Sequence, residues 1–347
     1  MGNRTTLKEV ALKAKVSYQT VSKVVNHQIQ VSPATEERIW QAVQELDYRP
    51  NLVARSLRSA RTKLIGYSWA PTPPDQPNPI LDQFLQSMLS EAEGAAYHLL
   101  AFPYHTGEEW TAVYRELIYT NRVDGFILSS VEFDDPRIQF LHAQSFPFVA
   151  FGRETETLDF PYVDVDGAAG MRMVIEHLVA LGHRRFGILA WPASSRVGQN
   201  RMEGVAQNLA AAGIGMSDDC LLRGEGNYTF GFQAAHSLLS RPAPQRPTAI
   251  VAFNDIMAIG AMNAVRELGL QVGADVAVTG FDDAPMTQYL NPSLTTVRQP
   301  IWEVGRRVMS MMLEILDGRQ PVDRHQLVTP RLIIRESTGS EDKSHIE

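Results

Sequence analysis

The chain has 347 residues, 44% hydrophobic and 20% charged, with a formal net charge of −7, one cysteine and nine histidines. At roughly 150 residues per domain that length predicts two or three domains. The lone Cys220 excludes an intramolecular disulfide, the histidines lack metal-ligand spacing, and no apolar run approaches ~18 residues, so neither a structural metal nor a membrane span is expected. Residues 1–63 hold eleven Lys and Arg against five acids, a net of +6, which leaves −13 on the remainder. A basic arm on an acidic body concentrates the attraction for phosphates in one segment and makes such binding salt-dependent.

Taken in order, Leu7, Val10, Ala11 and Ala14 predict a first helix by their spacing, with Thr6 and Glu9 placed for a capping box. Ser17 caps a second helix, with Val16 and Val21 set for a hydrophobic staple and Val24 continuing the buried face. Tyr18, Gln19, Thr20, Ser22, Lys23 and Asn26 are left outside. Polar residues in the first turn of a second helix are what major-groove reading needs. Gln can bond adenine bidentately, Lys can bond guanine, and Ser and Thr suit phosphates. A small helical hairpin with a solvated face is the other reading of these residues alone. Ser32-Pro33-Ala34-Thr35-Glu36-Glu37 then opens a third helix, whose Ile39, Val43 and Leu46 close a small core.

The succession Thr20-Val21-Ser22, Val31-Ser32-Pro33-Ala34-Thr35 and Tyr48-Arg49-Pro50-Asn51, with Ala54-Arg55-Ser56-Leu57 after it, resembles the headpiece and hinge of the lactose-repressor (LacI/GalR) family of bacterial transcription regulators. The match runs from about Thr6 to Gly66 without a gap. The resemblance implies a hinge helix after Pro50-Asn51 that folds on DNA, with Leu57 entering the minor groove as a wedge and Arg55 and Arg58 flanking it. A wedge of this kind unstacks a base step and bends the duplex onto more protein surface. It also puts Tyr18 and Gln19 at base-reading positions. The expected DNA-contacting set is Thr6, Ser17, Tyr18, Gln19, Thr20, Ser22, Lys23, Asn26, Asn51, Ala54, Arg55 and Leu57. Lys15 stands where the family usually has glycine; a left-handed non-glycine there costs about 1 kcal/mol.

Beyond the basic linker Arg58–Lys63, short apolar runs alternate with helical ones, which predicts parallel sheets. Strands are expected at Leu64–Trp69, Tyr97–Phe102, Gly125–Ser129 and Phe148–Phe151, with helices at about 80–96 and 108–120. After Tyr162–Asp166 come helices at about 170–181, 201–212, 230–240 and 256–268, and strands at 185–189, 249–252 and 276–279. Leu294–Pro300 leads into a helix to about 316, and 331–335 closes as a strand. Two such units resemble the periplasmic-binding-protein fold, with three crossings between lobes placed near Asp164, Thr295 and Gln320. Family similarity continues through His183-Arg184-Arg185, the segment from Asn254 to Gly260, Gly280-Phe281-Asp282-Asp283 and Leu294-Thr295-Thr296-Val297.

The expected fold class is therefore α/β, with a three-helix helix-turn-helix headpiece at 1–49 and a hinge helix and linker at 50–63. A two-lobed, periplasmic-binding-protein-like body of two doubly wound parallel sheets follows at 64–340. Its N-lobe is placed at 64–163 and 297–321 and its C-lobe at 164–296 and 322–340. The tail 341–347 lacks apolar heptads, and disorder is expected there.

Ligands of open α/β sheets bind at the carboxyl ends of strands. Asn254 and Asp255 end one strand, Asp282 and Asp283 another, and Arg201 opens a helix after the loop 191–200. An amide, carboxylates and a guanidinium suit adjacent sugar hydroxyls, and Trp69, Phe151, Trp191 or Tyr228 could cover an apolar sugar face. Where a relative has an acid at a strand end, this chain has Gly152-Arg153. The expected effector set is Trp69, Phe151, Arg153, Trp191, Arg201, Tyr228, Asn254, Asp255 and Asp282. The resemblance favours ligand roles for Arg201 and Asp282, while Asn254 as a helix cap and Asp283 as a turn fixer are the structural alternatives. No Gly-x-Gly-x-x-Gly, P-loop or Gly-x-Ser-x-Gly is present, so neither an enzyme nor a cofactor is expected.

The resemblance implies a sugar-responsive repressor, cytoplasmic and nucleoid-associated, acting as a homodimer on a near-palindromic operator. A nucleobase-type corepressor is the alternative within the family. A transport or chemotaxis sugar-binding protein, which shares the body, is the alternative outside it.

Overall fold

The computed structural model describes residues 5–25, 29–48, 61–69, 78–104, 110–154 and 158–339. The chain divides into two compact units, Met1–Thr62 and Lys63–Glu347. The expected hinge helix with Asn51, Ala54, Arg55 and Leu57, the DNA-reading candidate Asn26 and the tail 341–347 lie outside the described residues.

The first unit holds α1 (Leu7–Ala14), α2 (Tyr18–Val25) and α3 (Pro33–Glu45). The capping box forms: the Glu9 N–H donates to Thr6 Oγ1 at 3.4 Å and the Thr6 N–H to Glu9 Oε2 at 2.6 Å. The turn is left-handed at Lys15, with φ 53° and ψ 45°. The Thr20 N–H donates to Ser17 Oγ at 3.0 Å, which starts α2 where the sequence placed it. Ser32 takes the cap position of α3, but its hydroxyl pairs with Thr35 Oγ1 at 2.9 Å, and the Thr35 and Glu36 N–H groups donate to its carbonyl instead. Val10, Ala14, Val21, Val24, Ile39 and Ala42 interdigitate as the core, and a Lys13–Glu45 ion pair ties α1 to α3.

The second unit runs β1 (Leu64–Trp69), α4 (Pro79–Gly94), β2 (His98–Pro103), α5 (Trp110–Tyr119), β3 (Gly125–Leu128), α6 (Pro136–Ala143), β4 (Phe148–Phe151) and β5 (Tyr162–Val165). It continues with α7 (Gly167–Ala180), β6 (Phe186–Ala190), α8 (Arg196–Ala211), β7 (Leu221–Arg223), α9 (Tyr228–Leu239), β8 (Ala249–Ala252) and α10 (Asp255–Glu267). Then come β9 (Ala277–Asp282), β10 (Thr295–Arg298), α11 (Ile301–Leu316), β11 (His325–Val328) and β12 (Arg331–Ile333).

Two six-stranded sheets result, ordered β11-β5-β4-β3-β1-β2 and β12-β10-β9-β8-β6-β7. Every pairing is parallel except β10 with β12. Strands covered on both faces read as unbroken apolar runs, as Gly125–Leu128 and Ala249–Ala252 do. Alternate residues feed opposite layers: Ile127 packs with α4 and α11, while Phe126 and Leu128 pack with α5 and α6.

Sheet membership corrects two of the three crossings. The first follows β5 (Tyr162–Val165). Thr295–Arg298 pairs with β9, so the second falls at Gln299–Pro300 and not at Thr295. His325–Val328 pairs with β5, so the third lies between Val328 and Arg331 and not near Gln320. That strand is a mostly exposed edge with polar His325 and Gln326, and it carries no apolar run to read. The helix expected to open at Arg201 starts at Arg196, because the Ser195 hydroxyl accepts from the Gly198 N–H at 3.2 Å. The sequence reading also lacked α6 and β7. No helix among the described residues is long and apolar enough to cross a membrane.

Candidate DNA-reading helix and ligand cleft

On α2 a rotation of 100° per residue sets the apolar Val21 and Val24 against the core and leaves Tyr18, Gln19 and Lys23 exposed. Thr20 is half-buried and its hydroxyl lies 2.7 Å from Ser17 Oγ, while Thr6 is engaged with Glu9. Ser22 does not reach outward as expected: it is 7% exposed. It sits on the flank of the apolar stripe, and a side chain that short stays beneath its neighbours. The exposed face of α2 is therefore Tyr18, Gln19 and Lys23, with Ser17 and Thr20 at its N-terminal edge.

In the second unit the carboxyl ends of both sheets face a cleft of about 1210 Å³. Of the nine expected effector residues, Phe151, Trp191, Arg201, Tyr228, Asn254, Asp255 and Asp282 line it. Trp69 and Arg153 do not. Trp69 stands edge-on to Tyr67 with ring centroids 6.5 Å apart, and Arg153 turns its Nε towards Asp164 at 3.3 Å.

Arg201, in the second turn of α8, is buried at the cleft wall. Its guanidinium carbon lies 3.6 Å from the Phe281 ring centroid and 4.7 Å from that of Trp191, a double stack that favours a planar cation. Nη1 donates to the Phe253 carbonyl, Nη2 lies 3.7 Å from Asp282 Oδ1, and the buried Nε has no hydrogen-bond partner. Burial pulls its pKa down to about 10, opposed first by Asp282, and it remains a cation at neutral pH. Asp282 is held at φ 128° and accepts from Gln299 Nε2 at 2.7 Å. Burial raises its pKa, and Arg201 opposes the rise.

Several expected ligand groups are occupied by the fold. Asn254 caps α10, its Oδ1 accepting from the Met257 N–H at 2.8 Å and its Nδ2 donating to the Gly226 carbonyl at 2.8 Å. Asp255 accepts from the Thr296 hydroxyl at 2.5 Å and from the Ala284 N–H at 2.7 Å. Burial, then the neighbouring Asp282 charge, pushes the Asp255 pKa well above the ordinary carboxylate range. Asp283 fixes the turn between Arg298 at 2.5 Å and Arg335 at 2.7 Å. Tyr228 opens α9 half-exposed, with its hydroxyl accepting from Asn263 Nδ2 at 3.0 Å.

Three cleft groups were absent from the sequence reading. Glu132, in the loop after β3, accepts from the Arg196 N–H at the start of α8 at 2.7 Å, which joins the two lobes. Asp164 on β5 lies 3.4 Å from Arg196 Nη1. Arg196 escaped notice because the start of α8 was read five residues late. Asp164 did leave a signal, an acid between two strand valines. Among the described residues no group of three or more His, Cys, Asp or Glu could hold a metal ion. The cleft offers a stacked cation, carboxylates and aromatic faces, which is equipment for binding.

The family model described as bacterial regulatory proteins, lacI family, matches residues 6–51, and that of the periplasmic binding protein-like domain matches 175–338. The chain is 31% identical over 338 residues to the HTH-type transcriptional repressor CytR of Escherichia coli K12, covering 96% of each. Among solved structures it is similar to a LacI-family regulatory protein from Chloroflexus aggregans, at 50% identity and TM-score 0.77, covering 80% of this chain and 99% of that one. It is also similar to the lac repressor dimer bound to operator and the anti-inducer ONPF, at 31% identity and TM-score 0.86, covering 97% and 100%. A complex of the regulator CelR with cellobiose follows at 29% identity and TM-score 0.73, covering 96% and 100%.

Proposed function

The chain belongs to the lacI family of bacterial regulatory proteins, a DNA-binding transcriptional repressor with a ligand-binding body and not an enzyme, and we propose that its ligand is a sugar or short oligosaccharide. The observation that carries this reading is the Arg201–Asp282 pair, buried at the cleft wall between Trp191 and Phe281. A fixed donor fork beside an acceptor suits vicinal hydroxyls, and the partly exposed Trp191 ring suits the apolar face of a pyranose. The cellobiose held by CelR supports the same class.

The protein acts as a homodimer on a near-palindromic operator, as its similarity to the operator-bound lac repressor dimer supports. Residues 1–49 read the major groove, 50–63 form the hinge whose Leu57 is the minor-groove wedge, and 64–340 bind ligand. A sugar changes operator affinity only to the extent that it binds the two lobe arrangements unequally.

A thermal-shift screen of the full chain against mono- and disaccharides, with nucleobases and nucleosides as the rival set, tests the ligand class. A ligand at 100 times its Kd adds about 2.7 kcal/mol of stability. A sugar that raises Tm and alters operator binding in a gel shift upholds the proposal. A nucleobase hit with silence across the sugars overturns it.

A further inference from the structure

Asp164 is 5% exposed and stands on β5 between Val163 and Val165, both buried in the core, so that the pleat turns its carboxylate to the opposite side, where it lines the cleft. Its Oδ1 accepts from the Val165 N–H at 2.9 Å. Its Oδ2 is buried without a hydrogen bond, although Arg153 Nε approaches at 3.3 Å and Arg196 Nη1 at 3.4 Å. The two guanidiniums neutralise this oxygen by charge but are not aligned to donate to it. Leaving a buried acceptor unbonded is costly, and fully buried polar atoms in folded proteins are nearly always satisfied. One arginine comes from the loop after β4 and the other from the first turn of α8, so both lobes hold the carboxylate in place.

We propose that Asp164 Oδ2, held between Arg153 and Arg196 at the cleft wall, is a binding contact for a hydroxyl donor of the ligand and a determinant of which ligand the cleft accepts. The inference rests on the sugar reading above and adds a second polar anchor to the Arg201–Asp282 pair. An ionised carboxylate only accepts, so it demands a donor at that ligand position. A deoxy, keto or ether analogue would leave the oxygen unpaired and bind roughly ten- to a hundredfold more weakly. Burial raises the Asp164 pKa, and the charges of Arg196 and Arg153 oppose that rise.

The deciding experiment is a crystal structure of the full chain soaked in glycerol, whose adjacent hydroxyls stand for those of a sugar. A glycerol hydroxyl within hydrogen-bond distance of Asp164 Oδ2 is expected, and Asp164→Leu should lose that molecule while keeping the wild-type fold. The proposal is overturned if Oδ2 is bonded by Arg153 and Arg196 themselves, if it meets water alone, if the cleft holds no glycerol, or if glycerol stays in place in the Asp164→Leu variant. Failure of the sugar reading shows elsewhere, in the thermal-shift screen, so the two are told apart.

Discussion

Arg201 and Asp255 differ in what their burial does. Arg201 keeps its charge because Asp282 opposes the pull of burial, and lysine cannot reproduce its fork or its stack on two rings. Arg201→Lys should weaken sugar binding at least tenfold in a calorimetric titration, with Tm of the ligand-free protein falling by only a few degrees; unchanged affinity would remove Arg201 from the ligand site. Asp255 is a structural group, and its raised pKa means that the folded state binds its proton more tightly than the unfolded chain does. Between the ordinary value of 3.8 and the raised one, the unfolded state therefore holds fewer protons, and stability falls as pH rises through that window. Asp255→Asn should flatten the decline of Tm between about pH 5 and pH 7. An unaltered slope would show that Asp255 ionises freely in the fold. The sequence placed Arg201 and Asp282 in the cleft through the family resemblance, and Trp191 by the legible strand before it. It could not show whether Asn254 and Asp255 were free, since that depends on Gly226, Ala284 and Thr296, which are distant in sequence.

At the scale of elements, α9 and α10 touch backbone to backbone. A Cβ on Gly260 would lie 2.4 Å from the Tyr228 carbonyl oxygen, and one on Gly231 would lie 2.3 Å from that of Met257. Neither obstacle is a movable side chain, so Gly260→Ala should destabilise the body by about 1–3 kcal/mol through forced separation of the helices. Gly94, at the end of α4, meets nothing within 4 Å, and Gly94→Ala should be neutral or stabilising by about 0.5 kcal/mol. Chemical denaturation of both variants makes the comparison; equal effects would refute the close-packing account. Strands buried on both faces were legible because they are continuous apolar runs bounded by turn residues. β7, only three residues long, and β11, half of it polar His325 and Gln326, were not, since neither offers an apolar run to read. The start of α8 was hidden for another reason: Ser195 as its cap depends on a hydroxyl that any loop serine could offer.

For the whole molecule the segregation of charge governs how DNA binding responds to salt. The +6 of residues 1–63 opposes the −13 of the remainder, so nonspecific attraction to phosphates is confined to one end of the sequence while the acidic body is repelled. Operator affinity should fall linearly in log–log form with salt, by about 0.9 for each phosphate neutralised. Among the exposed residues of α2, Lys23 carries a charge and Gln19 does not, and the two should separate in this measurement. If Lys23 meets a phosphate, Lys23→Ala weakens binding to operator and random DNA alike and reduces the salt slope by about 1 per headpiece. Gln19→Ala leaves the slope unchanged and costs about 1–3 kcal/mol on the operator alone, because a base-edge contact carries sequence information and releases no counterion. A slope that moves with Gln19, or specificity that moves with Lys23, would exchange their roles. In either case two residues one helical turn apart would divide attraction from recognition on α2, and the acidic body would take no part in that division.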